Sequence, residues 1–151
     1  MTINIDFAAS EDLPQLAGLL DELFTLESDF RPERDKQLRG LRAILDTPAH
    51  GRLFVLRIDG KVAGMANALI TISTAEGGSV LLLEDVIVRR EHRGGGLGRR
   101  LVEHVLDWAK ERGMGRVTLL ADRGNLAALE FYRKLGFELS HMTVLRKKLS
   151  D

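Results

Sequence analysis

The chain has 151 residues, 22 acidic and 22 basic side chains, and no cysteine. This length allows one domain with a hydrophobic core of ordinary size. The absence of cysteine excludes disulfides, thiol nucleophiles and cysteine-ligated metals. The apolar runs are too short for a membrane span and the first residues lack a signal-peptide pattern, so we expect a cytoplasmic protein without membrane contact.

The charges are unevenly distributed along the chain. Residues 1–46 contain ten acidic and five basic side chains, whereas residues 47–151 contain twelve acidic and seventeen basic ones. This asymmetry indicates an anion site in the later part of the chain, beside an acidic lobe that attracts a cation. Chance scatter is the alternative explanation.

The first part of the chain predicts one strand and two helices. Apolar and polar residues alternate over 3–8, as in a strand. Ser10 is a candidate N-cap for a helix whose apolar positions run from 13 to 24. Pro32 is expected at the start of a second helix, with apolar positions from 38 to 45 on one side.

The middle of the chain predicts three strands in succession. Residues 52–58 and 61–74 flank an Asp59-Gly60 turn, which is a hairpin signal. A further turn at 75–78 leads into a third strand over 79–88.

The remainder alternates between helical and strand patterns. We predict a helix over 97–109 that stops near Gly113, a short strand over 116–121 and a helix over 125–135. One or two final strands are expected within 137–149. The order βααβββαβαβ(β) predicts a single-domain α/β fold with a mixed, mostly antiparallel sheet flanked by helices, over the whole chain.

The stretch HRGGGLGRRL places four glycines and three arginines at the start of the third predicted helix. A P-loop requires Lys-Ser/Thr after its last glycine, but Arg99 and Arg100 follow Gly98. The dinucleotide pattern G-x-G-x-x-G also fails. The pattern R-x-x-G-x-G is matched by Arg93, Gly96 and Gly98.

Phosphate chemistry accounts for this composition. Backbone N–H groups at a helix N-terminus bind phosphate oxygens, and glycines let the backbone approach a bulky pyrophosphate. The alternative is a glycine-rich loop with solvated arginines.

The sequences LEDVIVRREHRGGGLGRRLVEHVLDWAKERG and NLAALEFYRKLGFE resemble the GNAT N-acyltransferase superfamily, clearly from about residue 80 to 139. The resemblance implies that the R-x-x-G-x-G loop holds the pyrophosphate of acetyl-CoA. It also implies that strand 86–88 pairs with the pantetheine arm and polarises the thioester carbonyl. The residues implied in acetyl-CoA binding are Val86, Ile87, Val88, Arg93, Gly94, Gly95, Gly96, Leu97, Gly98, Arg99, Asn125 and Tyr132.

Asn125 and Tyr132 lie two helical turns apart on one predicted face. The resemblance implies that Asn125 binds the cofactor arm and that Tyr132 lies near the CoA sulfur. A phenol is protonated at neutral pH and can donate its proton to a departing thiolate. Helix capping by Asn125 and simple packing of Tyr132 are the alternatives.

Two carboxylates, Glu84 and Asp85, interrupt an apolar strand, where burial is costly without partners. Alternation places Glu84 on the face of Leu82 and Val86 and Asp85 on the other, unless a bulge intervenes. Burial raises a carboxyl pKa toward that of a useful base, so we predict Glu84 as the base. Asp85, a water molecule and structural pairing with arginine stay open.

These observations predict an acetyl-CoA-dependent N-acetyltransferase that acts by direct transfer to an unidentified primary amine. The acidic segment 20–35 is expected near the acceptor amine, and the resemblance makes a homodimer the expected partner state. The scattered histidines predict no metal site. A non-catalytic acyl-CoA sensor is the alternative, and zero net charge with few aromatic residues disfavours nucleic-acid binding.

Overall fold

The computed structural model describes residues 1–27 and 29–150. One sheet has the strand order β1-β2-β3-β4-β5, in which β1 to β4 pair antiparallel and β5 runs parallel to β4. This confirms the predicted mixed, mostly antiparallel sheet. The strands are β1 (Ile3–Phe7), β2 (Gly51–Ile58), β3 (Lys61–Ser73), β4 (Gly78–Val88) and β5 (Val117–Leu119).

Helices cover both faces of this sheet. One face carries α1 and α2, which pack on Val55, Met65 and Ile87; α3 covers the other face. Each helix shows an apolar stripe toward the sheet, which is the pattern that the sequence predicted. The helices are α1 (Leu13–Leu26), α2 (Arg34–Leu45), α3 (Leu97–Glu111) and α4 (Leu126–Lys134), with 3₁₀ turns at Ser10–Asp12 and Arg90–His92.

The start of α1 differs from the prediction that Ser10 caps it. The Oδ2 atom of Asp12 accepts a hydrogen bond from the backbone N–H of Ala9 (2.7 Å), whereas Ser10 Oγ accepts one from Arg42 (3.0 Å). Two further bonds join Asp12 to Arg57 on β2, at 2.9 and 2.6 Å. These bonds hold the pKa of the buried Asp12 carboxyl below its usual value and tie α1 to the sheet.

Two other predictions also differ from the structure: the start of the second helix and the presence of final strands. The second helix begins at Arg34 with Glu33 as its N-cap, two residues after Pro32. The final strands predicted within 137–149 are absent from the described part of the chain. No backbone N–H from 138 to 150 donates to another backbone group there, so this apolar-polar alternation has no neighbouring strand to pair with.

Candidate active site

The loop before α3 forms a row of unused hydrogen-bond donors. Gly94 and Gly96 have φ values of 85° and 83°, and Gly96 is the N-cap of α3. Within residues 1–27 and 29–150, no backbone N–H from Gly94 to Arg99 donates to a protein acceptor. Because these donors share one turn with the positive end of a helix dipole, the loop is suited to an anion.

The glycines of this loop serve two different purposes. A Cβ at Gly94, Gly95 or Gly96 would meet no atom within 4 Å, so the backbone is open to close approach from outside. At Gly98 a Cβ would lie 3.5 Å from the Phe131 ring. The three open glycines therefore leave room for a ligand, whereas a side chain at Gly98 would lie in ordinary contact with α4.

Two arginines predicted to contribute to this loop, Arg93 and Arg99, make contacts with protein groups instead. Arg93 Nε donates to the carbonyl oxygen of Val88 (2.7 Å), and its Nη2 lies 3.6 Å from Glu22. Arg99 pairs with Glu103 one turn along α3 (2.6 Å). Arg93 thus joins the loop to the end of β4, and the anion chemistry of the loop rests on backbone N–H groups.

Strands β4 and β5 separate beside this loop. Within residues 1–27 and 29–150 they pair only at Leu81–Leu83 with Val117–Leu119, so no described strand neighbours β4 on that side from Glu84 to Val88. The cause is a bulge: the β3–β4 register shifts between Met65 and Asn67, and Asp85 has a φ of 54°. The segment 86–88 therefore offers an open backbone edge at which an extended group fits.

The bulge also overturns the predicted faces of the two carboxylates. Glu84 and Asp85 line the same cavity beneath α1 and α2, whereas Val86 packs on the α3 side. Burial raises the pKa of Asp85 above its usual value, although a hydrogen bond from Asn67 opposes the shift. Burial and then the charge of Asp85 raise the pKa of Glu84.

Helix α4 and its N-cap carry the two remaining predicted site residues, Asn125 and Tyr132. Asn125 Oδ1 accepts from the N–H of Ala128 (3.0 Å), so the N-cap alternative holds, and its NH₂ group has no partner among the described residues. The Tyr132 hydroxyl likewise makes no hydrogen bond within the described chain. Burial, followed by the negative charge of Glu27, raises the pKa of Tyr132 to about 12.

The sequence matches the model of the Acetyltransferase (GNAT) family over residues 16–137. The chain belongs to this family. Streptothricin acetyltransferase of Streptomyces lavendulae is 39% identical over 90 residues, which are 59% of this chain and 46% of that protein. The uncharacterized N-acetyltransferase YobR of Bacillus subtilis is 34% identical over 118 residues, which are 78% of this chain and 44% of that protein.

Solved structures share the GNAT fold throughout. A possible acetyltransferase from Clostridium difficile superposes with a TM-score of 0.90 at 19% identity, and the match covers 100% of both chains. This chain spans less than half of the length of the two curated relatives.

Among the described residues no helix is long and apolar enough to cross a membrane, and no three His, Cys, Asp or Glu side chains cluster as metal ligands.

Two residues close to the carboxylates of β4 were not predicted from the sequence. Asn67 is 3% exposed in the middle of β3, opposite Glu84 in register, and it hydrogen-bonds Asp85. The only signal was an asparagine within an apolar strand. Glu27 follows α1, and burial together with the charges of nearby carboxylates, Asp85 foremost, raises its pKa. It lay inside the acidic segment 20–35, of which Ser28 is outside the described residues.

Proposed function

We propose that this protein transfers the acetyl group of acetyl-CoA to a primary amine. The observation that carries the proposal is the loop of unused N–H donors from Gly94 to Arg99, placed beside the open edge of β4. A pyrophosphate accepts hydrogen bonds from the N–H donors of the loop, and an extended amide-containing arm pairs with the open edge of β4. Glu84 lies at the start of this open edge on β4, and its charge acts on Glu27, so a cationic amine is attracted there.

On the donor side, the backbone of residues 93–98 holds the pyrophosphate of acetyl-CoA. Segment 86–88 pairs with the pantetheine arm, and one of its N–H groups polarises the thioester carbonyl. The free NH₂ group of Asn125 donates to the same arm. Acetyl-CoA supplies an activated acyl group, so the protein's own residues have to orient it and manage the protons.

On the acceptor side, Glu84 removes one proton from the ammonium and passes it to solvent. The amine nitrogen then forms a bond to the acetyl carbon while the carbon–sulfur bond breaks. Tyr132 gives its proton to the departing sulfur, and the second proton lost by the nitrogen replaces it. Protons and charge therefore balance without a covalent intermediate on the enzyme, as direct transfer requires.

The test combines binding and turnover. Acetyl-CoA is expected to raise the melting temperature, and CoA is expected to be released with at least one amine in a panel of alkylamines, amino sugars, amino acids and polyamines. No change in melting temperature would refute the donor site. Binding without CoA release on any amine would favour the non-catalytic acyl-CoA sensor instead.

Replacing Gly96 with alanine is expected to weaken acetyl-CoA binding about tenfold, because an L-residue in the left-handed conformation costs about 1–2 kcal/mol. The loop relieves that strain by turning its N–H donors away. Gly77→Ala is the matched control, since Gly77 also has a positive φ (77°) but lies in the β3–β4 turn. Titration calorimetry that gives equal dissociation constants for both variants would contradict this role of the loop.

We also propose that the protein is a homodimer. The C-terminal segment (residues 138–150) extends without backbone partners, and Leu145 and Leu149 are 93% and 92% exposed. In addition, β5 has no outer neighbour in the described sheet. Exposed apolar segments and open strand edges are usually covered in stable proteins, and a second copy of the chain would cover both at once.

The oligomeric state tests this second proposal directly. Light scattering is expected to give twice the chain mass for the wild type. Leu145→Lys combined with Leu149→Lys removes the apolar contact without altering the buried core, so a monomer is expected. A wild-type monomer at micromolar concentration would refute the dimer.

A further inference from the structure

A cavity of about 460 Å³ lies between α1, α2 and the β3–β4 strands. Its size suits a small molecule. One wall comes from the two helices, and Leu69 continues that wall on β3. The apolar lining consists of Leu20, Phe24, Phe30, Leu41, Ile44 and Leu69.

The floor of this cavity contains an unsatisfied acceptor. Asn67 Nδ2 donates to Asp85 Oδ2 (3.1 Å), which orients the amide, and Asn67 Oδ1 is buried without a partner among the described residues. A buried acceptor left unpaired is unfavourable, because it has lost its hydrogen bonds to water. The carboxylates of Glu84 and Asp85 line the same floor. An incoming ammonium group satisfies the amide oxygen and the carboxylates together.

The apolar part of the cavity wall offers no comparable partners to a polar ligand. The charged side chains that line the cavity, Arg31, Glu33 and Lys36, are exposed, and Glu33 pairs with Lys36 (3.1 Å). Gln37 is the buried polar side chain of the wall, and all of its strong contacts are internal. Its Nε2 donates to the carbonyl oxygen of Ala17 (3.0 Å) and to Asp21 (2.8 Å), and its Oε1 accepts from the N–H of Glu33 (2.6 Å). Hydroxyl or ammonium groups placed against the apolar part of this wall would lose water without gaining a hydrogen bond.

We propose that the acceptor is a primary amine carried on an apolar body, such as an arylalkylamine or a branched alkylamine. The ammonium group donates to Asn67 Oδ1 and Asp85, and the apolar body packs on the wall formed by α1 and α2. Amino sugars and polyamines are disfavoured, because their additional polar groups would lie against the apolar part of the wall, which offers them no hydrogen bonds. This inference rests on the proposed function, since it names the substrate class of the same site.

Gly40 provides a test that does not disturb the fold. It lines the cavity from the middle of α2, and a Cβ there would meet no atom within 4 Å. Leucine at this position fills the cavity and is a better helix former than glycine. Gly40→Ala is the matched control, because it gains the same helix propensity but adds only one methyl group.

The experiment compares 2-phenylethylamine and 3-methylbutylamine with spermidine and glucosamine. The apolar amines are expected to have kcat/KM values at least about tenfold higher, the scale that pocket complementarity supplies. Gly40→Leu is expected to remove about tenfold or more of that value, and Gly40→Ala less than about twofold. The melting shift with acetyl-CoA is expected to stay unchanged in both variants.

Failure of this inference is distinguishable from failure of the proposed function. A preference for spermidine or glucosamine, or apolar amines unaffected by Gly40→Leu, would overturn the substrate class while leaving acetyl transfer intact. If no amine releases CoA, calorimetric titration of 2-phenylethylamine into the CoA-loaded protein tests the cavity by itself. Binding that Gly40→Leu abolishes supports the amine site, and no binding overturns it.

Discussion

Replacing Tyr132 with phenylalanine is expected to lower kcat about 100-fold, the usual scale for losing a positioned general acid. Burial raises the pKa of this phenol to about 12, so it carries its proton throughout the range in which enzymes are assayed. An acid loses its function only above its pKa. The wild-type rate is therefore not expected to fall near pH 10, where an ordinary tyrosine ionises. The measurement is a pH profile of kcat at saturating acetyl-CoA.

The same substitution carries its own control for folding. The Tyr132 hydroxyl makes no hydrogen bond within the described residues, so its removal breaks no internal contact. The ring stays packed between Phe131 and Phe137, at centroid distances of 5.0 and 5.6 Å. The melting temperature and the affinity for acetyl-CoA are expected to match those of the wild type. A kcat within twofold of wild type would remove Tyr132 from the reaction.

Replacing Glu84 with glutamine is expected to lower kcat about 100-fold and to flatten the pH profile on its acidic side. A base acts only when it is deprotonated, so the wild-type rate rises with pH through the pKa of Glu84. That pKa lies above the usual value because of burial and the charge of Asp85, while Arg146 opposes the shift. Glutamine keeps the shape of the side chain but cannot accept the proton.

Asp85→Asn is the matched comparison for the base. Removing its charge lowers the pKa of Glu84, so the rising limb is expected to persist and to move to lower pH. The acceptor KM is expected to rise, because Asp85 contributes to the ammonium site. Asparagine also tolerates the positive φ at this position. A limb that survives Glu84→Gln but vanishes in Asp85→Asn would assign the base to Asp85.

The geometry of the loop before α3 could be predicted from local sequence, because it depends on local residues. Glycines with positive φ, a helix start and unused N–H groups all arise within residues 93–99. The acceptor side could not be predicted in the same way. Simple alternation placed Asp85 on the wrong face, because the bulge depends on how β3 pairs with β4. The same pairing places Asn67 beside Asp85 from a position 18 residues earlier.

The C-terminal segment shows the same limit. Its apolar-polar alternation is typical of a strand, yet a strand forms only where another chain segment accepts its hydrogen bonds. Within the described residues Arg146 instead contacts Asp29 (3.0 Å). The alternation of apolar and polar residues therefore shows that a segment can form a strand. It does not show whether another segment of the same chain is placed to pair with it.

The sequence by itself determined the order of strands and helices up to α4, the loop before α3 and the family, because these depend on periodicity and on contiguous motifs. Only the tertiary structure decided that Glu84, Asp85 and Asn67 line one cavity, and that the rest of its lining is largely apolar. The physical reason is that a bulge and its cross-strand partners are set by packing between distant segments, whose relative placement no local pattern records.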